Sequence, residues 1–250
     1  MANAKKKTAN KRANRPAKKT ANADSAPLGP GLFQFLGELA LNNEREWFQE
    51  HRARYESEVR EPARALIRAL EPHVRRVSKQ LVVSDKKVGG SLMRIHRDVR
   101  FSSDKTPYKT NVGIQFRHTA GKDVHAPGIY VHIEVGSAFL GVGMWHPDKD
   151  ALAALRCSIV EKPAAWVRVR DKAAQANGWE LRGDSLKRPP RGFDADHPLI
   201  DDLKRKDFIS VLELSPKMVI RPDFVEQIGA RMREAKPLLA WQAKALGLAF

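Results

Sequence analysis

Residues 129–146 read IYVHIEVGSAFLGVGMWH, and their alternation decides the fold class. Successive side chains of a strand point to opposite faces. Ile129, Val131, Ile133 and Val135 therefore share one face, with Tyr130, His132 and Glu134 on the other. Gly136–Ser137 is a link short enough for a hairpin. Ala138–His146 resumes the pattern, with Gly141 and Gly143 set among Leu140, Val142 and Met144. An antiparallel pair with one apolar and one polar face calls for helices on the apolar side.

Upstream, Asn111–Phe116 alternates in the same way, with Val112, Ile114 and Phe116 opposite Asn111, Gly113 and Gln115. Before it runs Ser91–Lys109, SLMRIHRDVRFSSDKTPYK, which holds three arginines, two lysines, a histidine and two aspartates. A strand reading of its first half lines up Arg94, His96, Asp98 and Arg100 on one face. Met93, Ile95, Val99 and Phe101 take the other, with Arg97 as the intruder, in need of a carboxylate or carbonyl partner if buried. Downstream, Phe208–Leu214 reads as a further strand.

The flanks are helical in period. Pro30–Gly31 open the folded part, and Phe33, Leu36 and Ala40 recur at helical spacing. Asn43 and Glu46 carry the spacing of a capping box, ahead of the stripe Trp47, His51 and Tyr55, read as core. Pro62 suits a first helical turn. Leu66, Leu70, Val74, Val77 and Leu81 then continue across Pro72, which is expected to kink or divide that helix. After Asp148, a capping residue, come Leu152, Leu155 and Ile159. Pro163 begins another helix with Trp166 and Val169, stopped by Asn177–Gly178. Residues 186–198 read as irregular, Leu199–Leu203 as a short helix, and Pro222 starts a last one with Val225, Ile228, Met232 and Leu239. The expectation is an α+β fold, an antiparallel sheet of about four or more strands with N-terminal and C-terminal helices packed on one face.

The net charge is +16. Residues 1–27 hold eight Lys/Arg and one acid and contain no large apolar side chain after Met1, so they read as a disordered basic tail. The remaining 28–250, expected to be one α+β domain, keep +9, which favours polyanionic partners. The single Cys157 excludes an internal disulfide framework; set in an apolar helical pattern, it reads as an inert core thiol. Trp166, Trp179 and Trp241 read as packing residues, and His118 and His125 as solvated. No run reaches membrane-spanning length, and a cytoplasmic location is expected.

Several of these stretches resemble a known family. Asn43-x-Arg45-Glu46-Trp47-Phe48, Arg94-Ile95-His96-Arg97-Asp98-Val99-Arg100-Phe101-Ser102-x-Asp104-Lys105-x-Pro107-Tyr108-Lys109, Tyr130-Val131-His132-Ile133-Glu134 and Pro190-Arg191-Gly192-Phe193-Asp194 are similar to the bacterial and fungal family called domain of unknown function 2461. The resemblance runs from about Leu32 to about Leu239. The family's usual residue at the position of His96 is Tyr, which counts against any mechanism needing an imidazole there. The resemblance implies one family domain and supplies no activity.

Function therefore has to come from the residues. Arginine's planar fork suits phosphate or carboxylate oxygens. Arg94 and Arg100, with Lys105, Tyr108 and Lys109 in the following loop and Tyr130 beside them, predict a site for a phosphate-bearing ligand or for nucleic acid, aided by the basic tail. A second reading makes the polar face a hydrolase or transferase site for a phosphorylated or acidic substrate. In it His132, Asp98 and Glu134 do acid–base work, or His96-x-Asp98 and His132-x-Glu134 share an ion. No motif identifies a cofactor or a dedicated metal set. A third reading pairs Arg94 with Asp98 or Arg97 with Glu134, lets Asp104 cap the turn before Pro107, and leaves an interaction scaffold.

Overall fold

The computed structural model describes residues 27–121 and 125–250; the tail predicted over 1–27 lies outside them except for Pro27. The chain enters as α1 (Pro30–Leu41), α2 (Arg45–Glu50) and α3 (Arg52–Arg54), widens into a π-helical turn over Tyr55–Arg60 and continues as α4 (Glu61–Val77). Pro62 sits one residue into α4, which continues directly from the π-helical turn, and the helix runs unbroken through Pro72. The strands β1 (Asn111–Phe116), β2 (Gly128–Glu134) and β3 (Ser137–Met144) follow, then α5 (Lys149–Glu161) and α6 (Pro163–Val169). A second π-helical turn, Arg170–Ala174, leads to β4 (Trp179–Arg182), α7 (Ile200–Leu203), β5 (Phe208–Leu214), α8 (Pro216–Val219), α9 (Phe224–Glu234) and α10 (Lys236–Ala245).

The five strands form one antiparallel sheet in the order β1-β2-β3-β5-β4. Its register puts Ile114, Val131, Leu140, Leu212 and Trp179 in one row across all five strands. All of these are buried, together with Phe35, Leu66, Leu70, Trp166, Ile228 and Leu239 from the helices. Burying each such side chain stabilises the fold by about 1.5–3 kcal/mol relative to leaving it in water. The α+β expectation holds, with helices over the apolar face. The other face carries Tyr130, His132, Phe139, Gly141 and Val211, and among the described residues none that lines the cavity on it is helical.

Several local expectations need correction. Ser91–Phe101 is not a regular strand. It runs along the outer edge of β1 through two isolated bridges, Leu92 with Ile114 and His96 with Tyr108, and the pairing slips between them. Met93 N donates to Gly113 O at 2.9 Å and Lys109 N to Ile95 O at 2.8 Å, but Pro107 has no N–H to continue a ladder. β4 escaped notice because four residues are too few for alternation to show. It follows two left-handed positions, Asn177 at φ 56° and Gly178 at φ 86°.

Asn43 does not cap a helix. Its side chain donates to Tyr108 O and accepts from Tyr108 N, both at 3.0 Å, leaving Glu44 at the cap position. Cys157 is exposed, while its neighbour Arg156 is buried and donates to Leu203 O at 2.7 Å and Arg205 O at 3.0 Å. His118 is buried rather than solvated, 2.7 Å from Ala249 O. Ala40 is exposed; the buried face of α1 is Leu32, Phe35, Leu36 and Leu39.

Candidate functional site

The residues expected on one shared face divide between two places. On the open face of the sheet, alternation along β2 aligns Tyr130, His132 and Glu134 as the sequence predicts. Glu134 Oε2 lies 3.2 Å from His132 Nε2, and Thr110 Oγ1 donates to Glu134 Oε1 at 2.8 Å. A carboxylate only accepts, so the proton sits on Nε2 in the neutral imidazole and Nδ1 is left to accept. Tyr130 Oη approaches Nδ1 at 3.2 Å and Asn111 Nδ2 at 3.4 Å. The imidazole also stacks on Phe139, with ring centroids 4.6 Å apart. Burial pushes the Tyr130 phenol above its usual pKa, against a smaller downward pull from Asn111. The result is a directed chain, Tyr130 to His132 to Glu134, held by Asn111 and Thr110.

The glycine at 113 belongs to this arrangement. A Cβ there would stand 2.8 Å from Tyr130 Oη and 3.0 Å from Met93 Sδ, so the phenol and the thioether close over bare backbone. Beside them opens a groove of about 630 Å³, lined by Met93, Tyr130, Phe139, Gly141, Trp145 and Val211, among others. Asp207, buried beneath its rim, accepts from His146 N at 2.7 Å and Asp184 N at 2.9 Å, tying the ends of β3 and β4 together.

The second place is a cleft of about 980 Å³ between the N-terminal helices and the edge segment Lys87–Asp98. Arg52, Arg60, Lys87, Arg94, Lys109 and Arg117 line it, with Glu56 and Asp98 as the carboxylates among the described residues. Both acids are already engaged, Glu56 by Arg60 and Asp98 by Arg100. Among the described residues, no carboxylate lies within ion-pair reach of Arg52, Lys87, Arg94 or Lys109. Lys109 is half-buried, and its pKa is held below the usual lysine value by burial first and by the Arg94 charge second. Phe48 and Tyr55 supply an apolar wall. Burial raises the Tyr55 phenol to about 12.

The structure therefore brings Arg94 and Lys109 together, and separately Tyr130, His132 and Glu134. Asp98 does not join the histidine chain. It lines the cleft and pairs with Arg100 at 2.7 Å, which draws its pKa down to about 2. Arg100 is thereby committed to Asp98, its guanidinium also 5.8 Å from the Phe101 ring. Lys105 donates to Val99 O at 3.0 Å within its own loop. Tyr108 is buried and stacks on Phe48 at 4.1 Å, so it packs the edge segment against the helices. Arg97 finds its partners in Asp104 and Thr106 rather than Glu134, and Asp104 caps the turn by accepting from Thr106 N at 2.9 Å. His96 and His132 share no site: His96 packs toward Phe48 and Tyr108. Sequence reading missed Arg52, Lys87 and Asn111 as site members. Only Asn111, already placed on the polar face of its strand, carried a signal.

The profile of a conserved hypothetical protein family, DUF2461, matches residues 31–241. The chain belongs to that family. The match takes in both the cleft and the groove and leaves out the basic tail. No curated protein and no solved structure matches the chain. Among the described residues no group of three or more His, Cys, Asp or Glu side chains is placed to hold a metal ion, and no helix is long and apolar enough to cross a membrane.

Proposed function

We propose that this DUF2461 protein binds a phosphate-bearing ligand in the cleft between the N-terminal helices and residues 87–98. The observation that carries the reading is Lys109, a half-buried ammonium beside Arg94, with no carboxylate within ion-pair distance of either among the described residues; the nearby Asp98 feels the Arg94 charge but is paired with Arg100. Two like charges held together out of bulk water are unfavourable unless an anion joins them. A bound phosphate would supply the missing negative charge, Arg52 and Lys87 would add to the field, and Phe48 and Tyr55 would take an apolar portion of the ligand. The +9 carried by residues 28–250 draws in such anions, and the basic tail adds affinity for nucleic acid through phosphate contacts.

The test is calorimetric titration at low salt with pyrophosphate, a nucleoside diphosphate and a single-stranded oligonucleotide. Arg94→Ala and Lys109→Met are each expected to weaken pyrophosphate and nucleotide binding at least about tenfold, the scale of a lost charge-assisted contact. Lys109→Met is expected to leave the melting temperature of the free protein unchanged or raised, because it removes an uncompensated charge. Equal affinity in wild type and both variants would sink the reading. Removing residues 1–26 is expected to reduce oligonucleotide binding and spare pyrophosphate.

A further inference from the structure

A second site lies on the open face of the sheet, and Gly141 points to it. Glycine weakens the middle of a strand and is retained where backbone must bend or be approached closely. Gly143 meets that requirement with φ 116°, and Gly113 meets it under Tyr130 Oη and Met93. Gly141 meets neither. Its φ is ordinary for an L residue, and a Cβ there would make only van der Waals contacts at 3.9 Å with Phe139 and Tyr130. What its missing side chain does is leave open the floor of the 630 Å³ groove, a volume within the usual range for small-molecule sites.

The walls are apolar and in part aromatic: Met93, Tyr130, Phe139, Trp145, Ile209 and Val211. Trp145 remains 49 % exposed, so the free protein keeps a large indole in water. The groove's polar end is specific. Of the Tyr130–His132–Glu134 chain, Tyr130 alone lines the cavity. Its O–H is directed at His132 Nδ1, because Nε2–H is given to Glu134. The phenolic oxygen is thereby turned into an acceptor; Asn111 takes up part of that capacity, and the remaining lone pair is the one a ligand in the groove would use. At the rim Arg182 is already bound to Glu180 and Glu213, so it does not call for a carboxylate. We propose that the groove is a binding site for a flat, neutral, largely apolar molecule bearing a hydroxyl, which lies over Gly141 between the aromatic walls and donates its hydrogen bond to Tyr130 Oη. His132 and Glu134 are positioning residues that fix which way the tyrosine hydroxyl points.

The experiment titrates the full-length protein with 2-naphthol, naphthalene and 2-naphthoate, following backbone amide shifts by NMR. Saturable shifts at Tyr130, Gly141 and Val211 are expected with 2-naphthol, and weaker binding of the other two probes. Tyr130→Phe should weaken 2-naphthol about three- to tenfold, the range for one net hydrogen bond, and leave naphthalene unchanged. Gly141→Leu should abolish binding of all three probes with the circular dichroism spectrum intact. Gly141→Ala, whose added methyl meets only ordinary contacts, gives a smaller loss and serves where the leucine variant fails to fold. The proposal is overturned if 2-naphthol gives no saturable shifts, if 2-naphthoate binds tighter than 2-naphthol, if Tyr130→Phe weakens naphthalene as much as 2-naphthol, or if substitution at Gly141 leaves 2-naphthol affinity unchanged.

Discussion

Asp104 shows how a single exposed carboxylate can hold the shape of the edge segment. It accepts from Thr106 N at 2.9 Å and meets the Arg97 guanidinium. Its pKa falls from the ordinary 3.8 to about 2, through the Thr106 backbone bond first and Arg97 second. A carboxyl whose folded pKa is depressed stabilises the native state above its unfolded pKa and loses that contribution as pH falls through the folded one. The turn over 98–106 is therefore expected to loosen between about pH 4 and pH 2. A side-chain carboxyl NMR titration should place the Asp104 midpoint near 2 in wild type and closer to 3.8 in Arg97→Ala, where the guanidinium is gone. Lys109 is the counter-case: its charge is opposed by burial and by Arg94, so the fold holds it at some disadvantage. The sequence showed both residues as part of one charged run. It could not show that one was satisfied within its own turn and the other left without a carboxylate partner among the described residues, because that depends on which groups the chain brings near them.

At the scale of elements, legibility followed the range of the contacts involved. The pairing of β2 with β3 was readable because alternation and a two-residue link are local, as was the cap of α5, where Asp148 Oδ1 accepts from Ala151 N at 2.8 Å. Asn43 was misread because its true partner is 65 positions away in Tyr108. The residues before β1 were misread as a strand because a register slip is invisible to alternation, and grouping Arg94 and Asp98 with His132 depended on that strand being straight. One helix contact was not readable at all. Gly229 of α9 lies against the His73 ring of α4, where an added Cβ would overlap the imidazole. His73 is buried, with Nε2 3.3 Å from Glu226 Oε1. Alanine improves helix propensity by about 1 kcal/mol, yet overpacking costs about 1–3 kcal/mol. Gly229→Ala is therefore expected to lower the urea midpoint, with recovery in the double variant with His73→Ala. A higher midpoint in the single variant would mean that α4 and α9 have room to spare.

For the molecule as a whole, the charge distribution sets how the two candidate sites should respond to their surroundings. Among the described residues the cleft gathers six cationic side chains and two carboxylates, so the anion binding proposed for it would be screened by salt over a Debye length of about 8–10 Å. Raising salt from about 20 mM to about 300 mM is expected to remove most of the melting-temperature gain given by pyrophosphate. The gain given by 2-naphthol in the groove should change little or increase, since apolar burial is not screened. Parallel loss of both gains would mean that the two cavities, which adjoin at Met93, Gln115 and Arg117, act as one. The register slip beside β1 also bears on how the protein behaves at high concentration. An uncovered sheet edge is a template on which another chain can pair and grow into aggregates. Here one edge is occupied by a segment too irregular to template a further strand, and the other is β4, four residues long and carrying Glu180 and Arg182. Neither edge offers a long regular strand to pair with, so the sheet can leave one face without described helices over it and still resist edgewise growth.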